Sequence, residues 1–190
     1  MILFQLKEFK TILVLIPLFS CLCFAGQLTD KRDGQVYRTV VVDDRLWMAE
    51  NLNFNMKNTY CYNGNDCKKY GRYYSWEDAK NACPEGWDLP TNYDFEQLMK
   101  KGPTFIWSSS GFALLNAGAF GGEEEVTYSR DGASLWSLTH VDECGRYGEM
   151  CCDYTNEWYA SDSKMSLVMY CWEGDQYLTV RCVKAYGELE

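Results

Sequence analysis

Hydrophobic and polar positions change period several times along this chain, and each change marks an element. An apolar run from Ile12 to Phe19 follows Lys7 and Lys10 and gives way to small residues near Ala25, the three-part layout of a secretory signal over residues 1–25. Pro17 and Ser20 interrupt it well short of the roughly 20 apolar residues that a membrane span needs. Gly26 to Asp33 is short and polar and reads as a leader, so the folded domain is expected over 34–190. VYRTVVV is dense in β-branched residues, Asp43-Asp44 makes a turn, and LWMAENL reads as the second strand of a hairpin. Cys61 and Cys67 then flank Asn63-Gly64-Asn65-Asp66, whose turn chemistry favours a tight loop and pairs the two cysteines.

The period next becomes helical. Ser75 can cap a helix with Asp78 three positions on, and Trp76, Ala79, Ala82 and Cys83 fall on one face before Pro84 and Gly86 end it. Thr91 and Asp94 repeat the signal for a second helix, with Phe95, Leu98 and Met99 as its buried face and Lys100-Lys101-Gly102-Pro103 as its stop. Trp87, Leu89 and Pro90 between the helices read as core plugs. Beyond Pro103 come a glycine-rich apolar stretch (111–122), an acid run (Glu123–Glu125), the strand-like LWSLT, and Cys144 to Asp153 as a cysteine-stapled loop. SLVMYCW and YLTVRCVKA read as a closing hairpin around Gly174-Asp175.

Charge narrows the partners. The net charge is −9, and −10 once Lys7, Glu8 and Lys10 leave with the signal, a surface that repels phosphate backbones and excludes nucleic acid as a natural partner. Of ten cysteines, an ordinary cut before Gly26 removes Cys21 and Cys23 and leaves eight. Leu18-Phe19-Ser20-Cys21 offers the alternative of a lipidated Cys21, which alone would tether the protein to a membrane and would leave Cys23 unpaired. Parity therefore favours simple export, and the even set reads as a disulfide framework. With no CxxC and a single histidine, a Cys/His metal site of common spacing is not assembled, and no metal or other cofactor is expected.

His140 is the one imidazole through which a nucleophilic triad would have to pass; no nucleophile motif accompanies it, and it reads as a loop residue. Carboxylates are abundant, but no spacing selects an acid/base pair. Cys151-Cys152 invites a redox reading, yet adjacent cysteines in an exported loop more often staple it, here with Cys144 and Cys171 in a connectivity the sequence leaves open. Tyr147, Tyr154, Trp158, Tyr159 and Trp172 gather in or after that loop beside carboxylates such as Asp153 and Glu157, and are the expected ligand-binding residues, since aromatic faces stack on sugar rings and anchor interfaces.

In order, Gly34–Val42, Trp47-Met48-Ala49-Glu50-Asn51-Leu52, Tyr70-Gly71-Arg72, Cys83-Pro84-Glu85-Gly86-Trp87, Leu89-Pro90, Gly111-Phe112, Trp136-Ser137 and Val180-Arg181-Cys182-Val183 resemble the Fibrobacter succinogenes major paralogous domain, a bacterial secreted module. The chain departs from that pattern at Glu123–Glu125 and in Cys144–Cys171. A more distant resemblance is to C-type-lectin-like domains. It implies an α+β domain with two short helices in its N-terminal half, small antiparallel sheets and long stapled loops, closed by a bridge between the first helix and the last strand, here Cys83 and Cys182. The Glu-Pro-Asn, Gln-Pro-Asp and Trp-Asn-Asp triplets of calcium-dependent sugar binders are missing, so that site is not carried over. The resulting expectation is a secreted or cell-surface, calcium-independent, non-catalytic module. Its partner would be a cell-wall or plant polysaccharide or a surface protein. An extracellular carbohydrate-active enzyme with a fold-assembled carboxylate pair, or a structural envelope component, is the alternative.

Overall fold

A computed structural model describes residues 26–62, 66–121, 127–129, 132–143, 152–161, 165–171 and 176–187. The expected opening hairpin forms: β2 (Val36–Val42) pairs antiparallel with β3 (Arg45–Met48), with Val40 opposite Trp47 and Val42 opposite Arg45. Asp43 closes the turn at φ 54, the left-handed conformation that Asp tolerates. The supposed leader belongs to the sheet, because Gln27–Thr29 forms β1 along β2 and Asp30 is fully buried under Arg32. Its polar side chains disguise a strand whose backbone does the pairing.

Among the described residues four short helices follow: α1 (Cys67–Tyr70), α2 (Trp76–Ala79), α3 (Asn92–Lys100) and α4 (Gly102–Trp107). Ser75 caps α2 by accepting from the Asp78 N–H, and Thr91 and Asp94 form a reciprocal capping box on α3. One expectation about helix ends fails, and one stop signal does more than stop. After Ala79 the chain tightens into i→i−3 bonds at Asn81 and Ala82, so Cys83 sits just past α2. Gly102, at φ 77, does end α3, but Pro103 then opens α4, where its fixed φ and missing N–H suit the first turn.

The second sheet has the order β4-β10-β7-β8-β9, with β4 (Tyr73–Tyr74), β7 (Ala133–Glu143), β8 (Cys152–Ala160), β9 (Met165–Cys171) and β10 (Leu178–Thr179). β7, β8 and β9 form an antiparallel meander; of the expected stapled loop, Cys144 to Asp153, only Cys152 and Asp153 are among the described residues, at the start of β8. A small ribbon pairs β5 (Ala119–Gly121) with β6 (Thr127–Ser129). The expected closing hairpin does not form: β9 lies at the end of that strand order, β10 runs parallel to β7 and antiparallel to β4, and β11 (Val183–Ala185) crosses to β3 in the first sheet. YLTVRCVKA thus serves two sheets, with Val180 to Cys182 as the crossover.

Both sheets are buried on two faces where they matter. Trp47 and Leu135 enter one core with Val40, Phe95, Leu98, Ile106 and Phe112, while their neighbours Met48 and Trp136 enter another with Leu52, Tyr74, Trp76 and Leu178. That explains the unbroken apolar word LWM. The chain is an α+β protein with short helices, two main sheets and two disulfides among the described residues, Cys61–Cys67 and Cys83–Cys182, as expected. Such bridges persist in an oxidising compartment. Among the described residues, no helix is long and apolar enough to cross a membrane.

Candidate functional site

Three words from the sequence meet at the crossover. The Arg181 guanidinium is fully buried; its Nε donates to Asn51 Oδ1 at 2.7 Å, one Nη to the Ala113 carbonyl at 2.8 Å and the other to the Phe112 carbonyl. It also lies 4.3 Å over the Phe112 ring. Burial pushes its pKa down to about 9, with nearby Glu50 opposing the shift and Arg38 adding to it. Asn51 in turn donates from Nδ2 to the Tyr70 carbonyl at 2.8 Å, and Leu52 N–H reaches the Val180 carbonyl. Gly71 is obligatory beside them: its φ is +76°, and a Cβ there would stand 2.6 Å from the Asn51 Cβ.

This knot forms the floor of an open cleft of about 320 Å³ between the first hairpin, α1 and the segment Ala113–Leu115. That volume is at the lower end of small-molecule sites, which span ~300–1,000 Å³. The hairpin supplies Arg38 and Glu50, whose carboxylate accepts from the Arg38 backbone N–H at 2.8 Å and stands 3.7 Å from its guanidinium. Arg38 also donates to the Ser109 carbonyl at 3.0 Å. The opposite wall is α1, held by the Cys61–Cys67 bridge, with exposed Lys68 and Lys69. Gln35 and Asn53 complete the lining as a hydrogen-bonded amide pair at 2.8 Å, and Asn53 Oδ1 is a buried acceptor without a donor among the described residues. Val36, 53% exposed, adds an apolar edge. Arginine, lysine, carboxylate and amide groups around one opening can orient a polar ligand by several directional bonds.

None of the residues singled out from sequence as ligand-binding is among the described residues that line this cleft. Tyr147, Trp172, Cys144 and Cys151 lie outside the described residues, as do residues 1–25 with Cys21 and the acid run Glu123–Glu125. Tyr154, Trp158, Cys152 and Cys171 are placed by their backbone: the register sets Trp158 between Leu135 and Leu167, Tyr154 between Val141 and Cys171, and Cys152 opposite Glu143. Tyr159 is half-buried, with its ring so close to Gly132 that a Cβ there would be 2.7 Å away. His140 lies in β7, just past the irregularity after Ser137, and not in a loop. No cluster among the described residues could hold a metal ion.

The cleft itself went unread. Lys68-Lys69 next to a cysteine-closed turn was its one local signal, a basic pair in an acidic chain. Comparison of the chain with protein-family models, with curated proteins and with solved structures finds no match.

Proposed function

We propose that this is an exported, non-catalytic binding module of C-type-lectin-like type, and that the cleft over the Asn51–Arg181 floor holds its ligand, a polysaccharide or a surface protein. The observation that carries the reading is the composition of that cleft. Glu50 is the single carboxylate among its described lining residues, and it is engaged by Arg38. A glycosidase needs two carboxylates flanking the scissile bond at about 5–9.5 Å. The cleft supplies donors, acceptors and charge for recognition instead. The bridge from the end of α2 to the start of the last strand supports the lectin-like assignment, and the two disulfides support export.

The test is a glycan and surface-protein binding screen, run with and without chelator on the protein and on Val36→Trp, which fills the cleft mouth. Chelator-insensitive binding that is lost in Val36→Trp at unchanged Tm is expected. Binding that survives the substitution places the site elsewhere, and release of reducing ends from a polysaccharide would make the protein an enzyme.

A further inference from the structure

The chain carries nine more negative than positive charges, yet the cleft inverts that balance. Arg38, Lys68 and Lys69 line it against Glu50, and Arg181 stands directly behind its floor, donating to Asn51 and Ala113, which both line it. Lys68 and Lys69 make no ion pair among the described residues; Lys69 Nζ rests 4.6 Å over the Tyr70 ring. Among the described residues no carboxylate is hydrogen-bonded to Arg181, so its charge in a low-dielectric layer adds to the surface cations. The other end of the cleft is different. There Gln35 and Asn53 present amides, and Asp33, which accepts from Gln35, keeps a negative charge close by. An anionic group is thus favoured at the α1 end and neutral hydroxyls at the Gln35–Asn53 end.

We propose that the cleft takes a carboxylate-bearing sugar, a uronate unit of an acidic polysaccharide, with its carboxylate toward Lys68 and Lys69 and its hydroxyls toward the amide pair. This rests on the cleft being the binding site. It also gives an acidic protein a way to hold an acidic polymer: long-range repulsion, screened over about 8–10 Å at ordinary salt, is offset locally by cations concentrated at the one opening.

The experiment is calorimetric titration of the oxidised protein with hexagalacturonate, with cellohexaose as the neutral hexamer and inorganic phosphate as a competitor, at low and high salt. Hexagalacturonate should bind, cellohexaose should not, and phosphate should compete poorly. Lys68→Gln/Lys69→Gln, at exposed positions that leave the fold intact, should weaken binding by about tenfold or more and flatten its salt dependence. Equal binding of cellohexaose, competition by phosphate at the same concentration, or unchanged affinity of the double variant overturns the assignment. Val36→Trp separates the two levels. If it abolishes binding of a glycan that the lysine variant still holds, the cleft stands and the acidic-sugar reading falls; if hexagalacturonate binds Val36→Trp normally, the cleft reading falls with it.

Discussion

Arg181 joins two distant segments of the buried interior through one side chain, and its chemistry is demanding. A planar fork reaches Asn51, Phe112 and Ala113 at once, and Ala113 is held at φ 52, a conformation that non-glycine residues adopt only under constraint. Lysine carries the charge but cannot span the three acceptors, so Arg181→Lys should destabilise the protein by about 2–4 kcal/mol, read from urea unfolding. Unchanged stability would mean that the fork is dispensable. Two buried phenols set the alkaline limit. Burial raises the Tyr37 hydroxyl to about 12, against the Asn53 N–H it accepts from and with Asp33 and Asp30 adding to the rise; burial likewise holds Tyr74, which donates to the Phe54 carbonyl, well above its usual value. Folded pKa values above the unfolded value near 10 mean that this stabilisation is complete below about pH 10. It is lost as pH climbs through about 12, by about 1.4 kcal/mol per pH unit for each group. Unfolding free energy measured from pH 8 upward should therefore fall beyond about pH 10, and Tyr37→Phe should make the fall shallower; a flat profile would count against the assignment.

Elements whose signals are local were legible, and those defined by distant partners were not. Ser75 and Thr91 announce α2 and α3 because a cap is satisfied within three residues. The β2–β3 hairpin is equally local. By contrast, YLTVRCVKA has strand composition throughout, and nothing in it says that Leu178 will face Tyr74 while Val183 faces Trp47. Pro103 was ambiguous for a related reason, since the same residue can end one helix or begin the next. The cleft is assembled from segments near residues 36, 50, 68 and 114, so no window of sequence contains it. Two glycines test how the segments are locked together. Gly71 and Gly86 both have φ +76°, but a Cβ at Gly71 collides with Asn51 and Leu52, whereas Gly86 has nothing within 4 Å. Gly86→Ala should cost about 1 kcal/mol from conformation alone, and Gly71→Ala about 3 kcal/mol or more. Equal costs in thermal unfolding would show that the packing of α1 against the floor contributes little.

At the scale of the whole molecule, the two bridges divide stability from function. Cys83–Cys182 has a sequence separation of 99 and ties the end of α2 to the crossover beside Arg181, so it closes more than half of the unfolded domain into one loop. The chain-entropy model gives it about 4–5 kcal/mol, against about 2 kcal/mol for a six-residue loop. Cys61–Cys67, with its separation of 6, is such a loop, but Cys67 begins α1 and lines the cleft two residues from Lys69. Removing Cys83–Cys182 by paired alanines should therefore lower Tm strongly and weaken ligand binding only as far as the protein unfolds. Replacing Cys61 and Cys67 by serine should do the reverse, with a small change in Tm but weaker ligand affinity, because the lysines lose the anchor that fixes their spacing to Arg38 and the amide pair. Calorimetric unfolding and titration on both pairs decide the matter. If the Cys61/Cys67 variant binds as tightly as the parent, α1 does not form the wall that recognises the ligand, and the charge pattern of the cleft has been credited with too much.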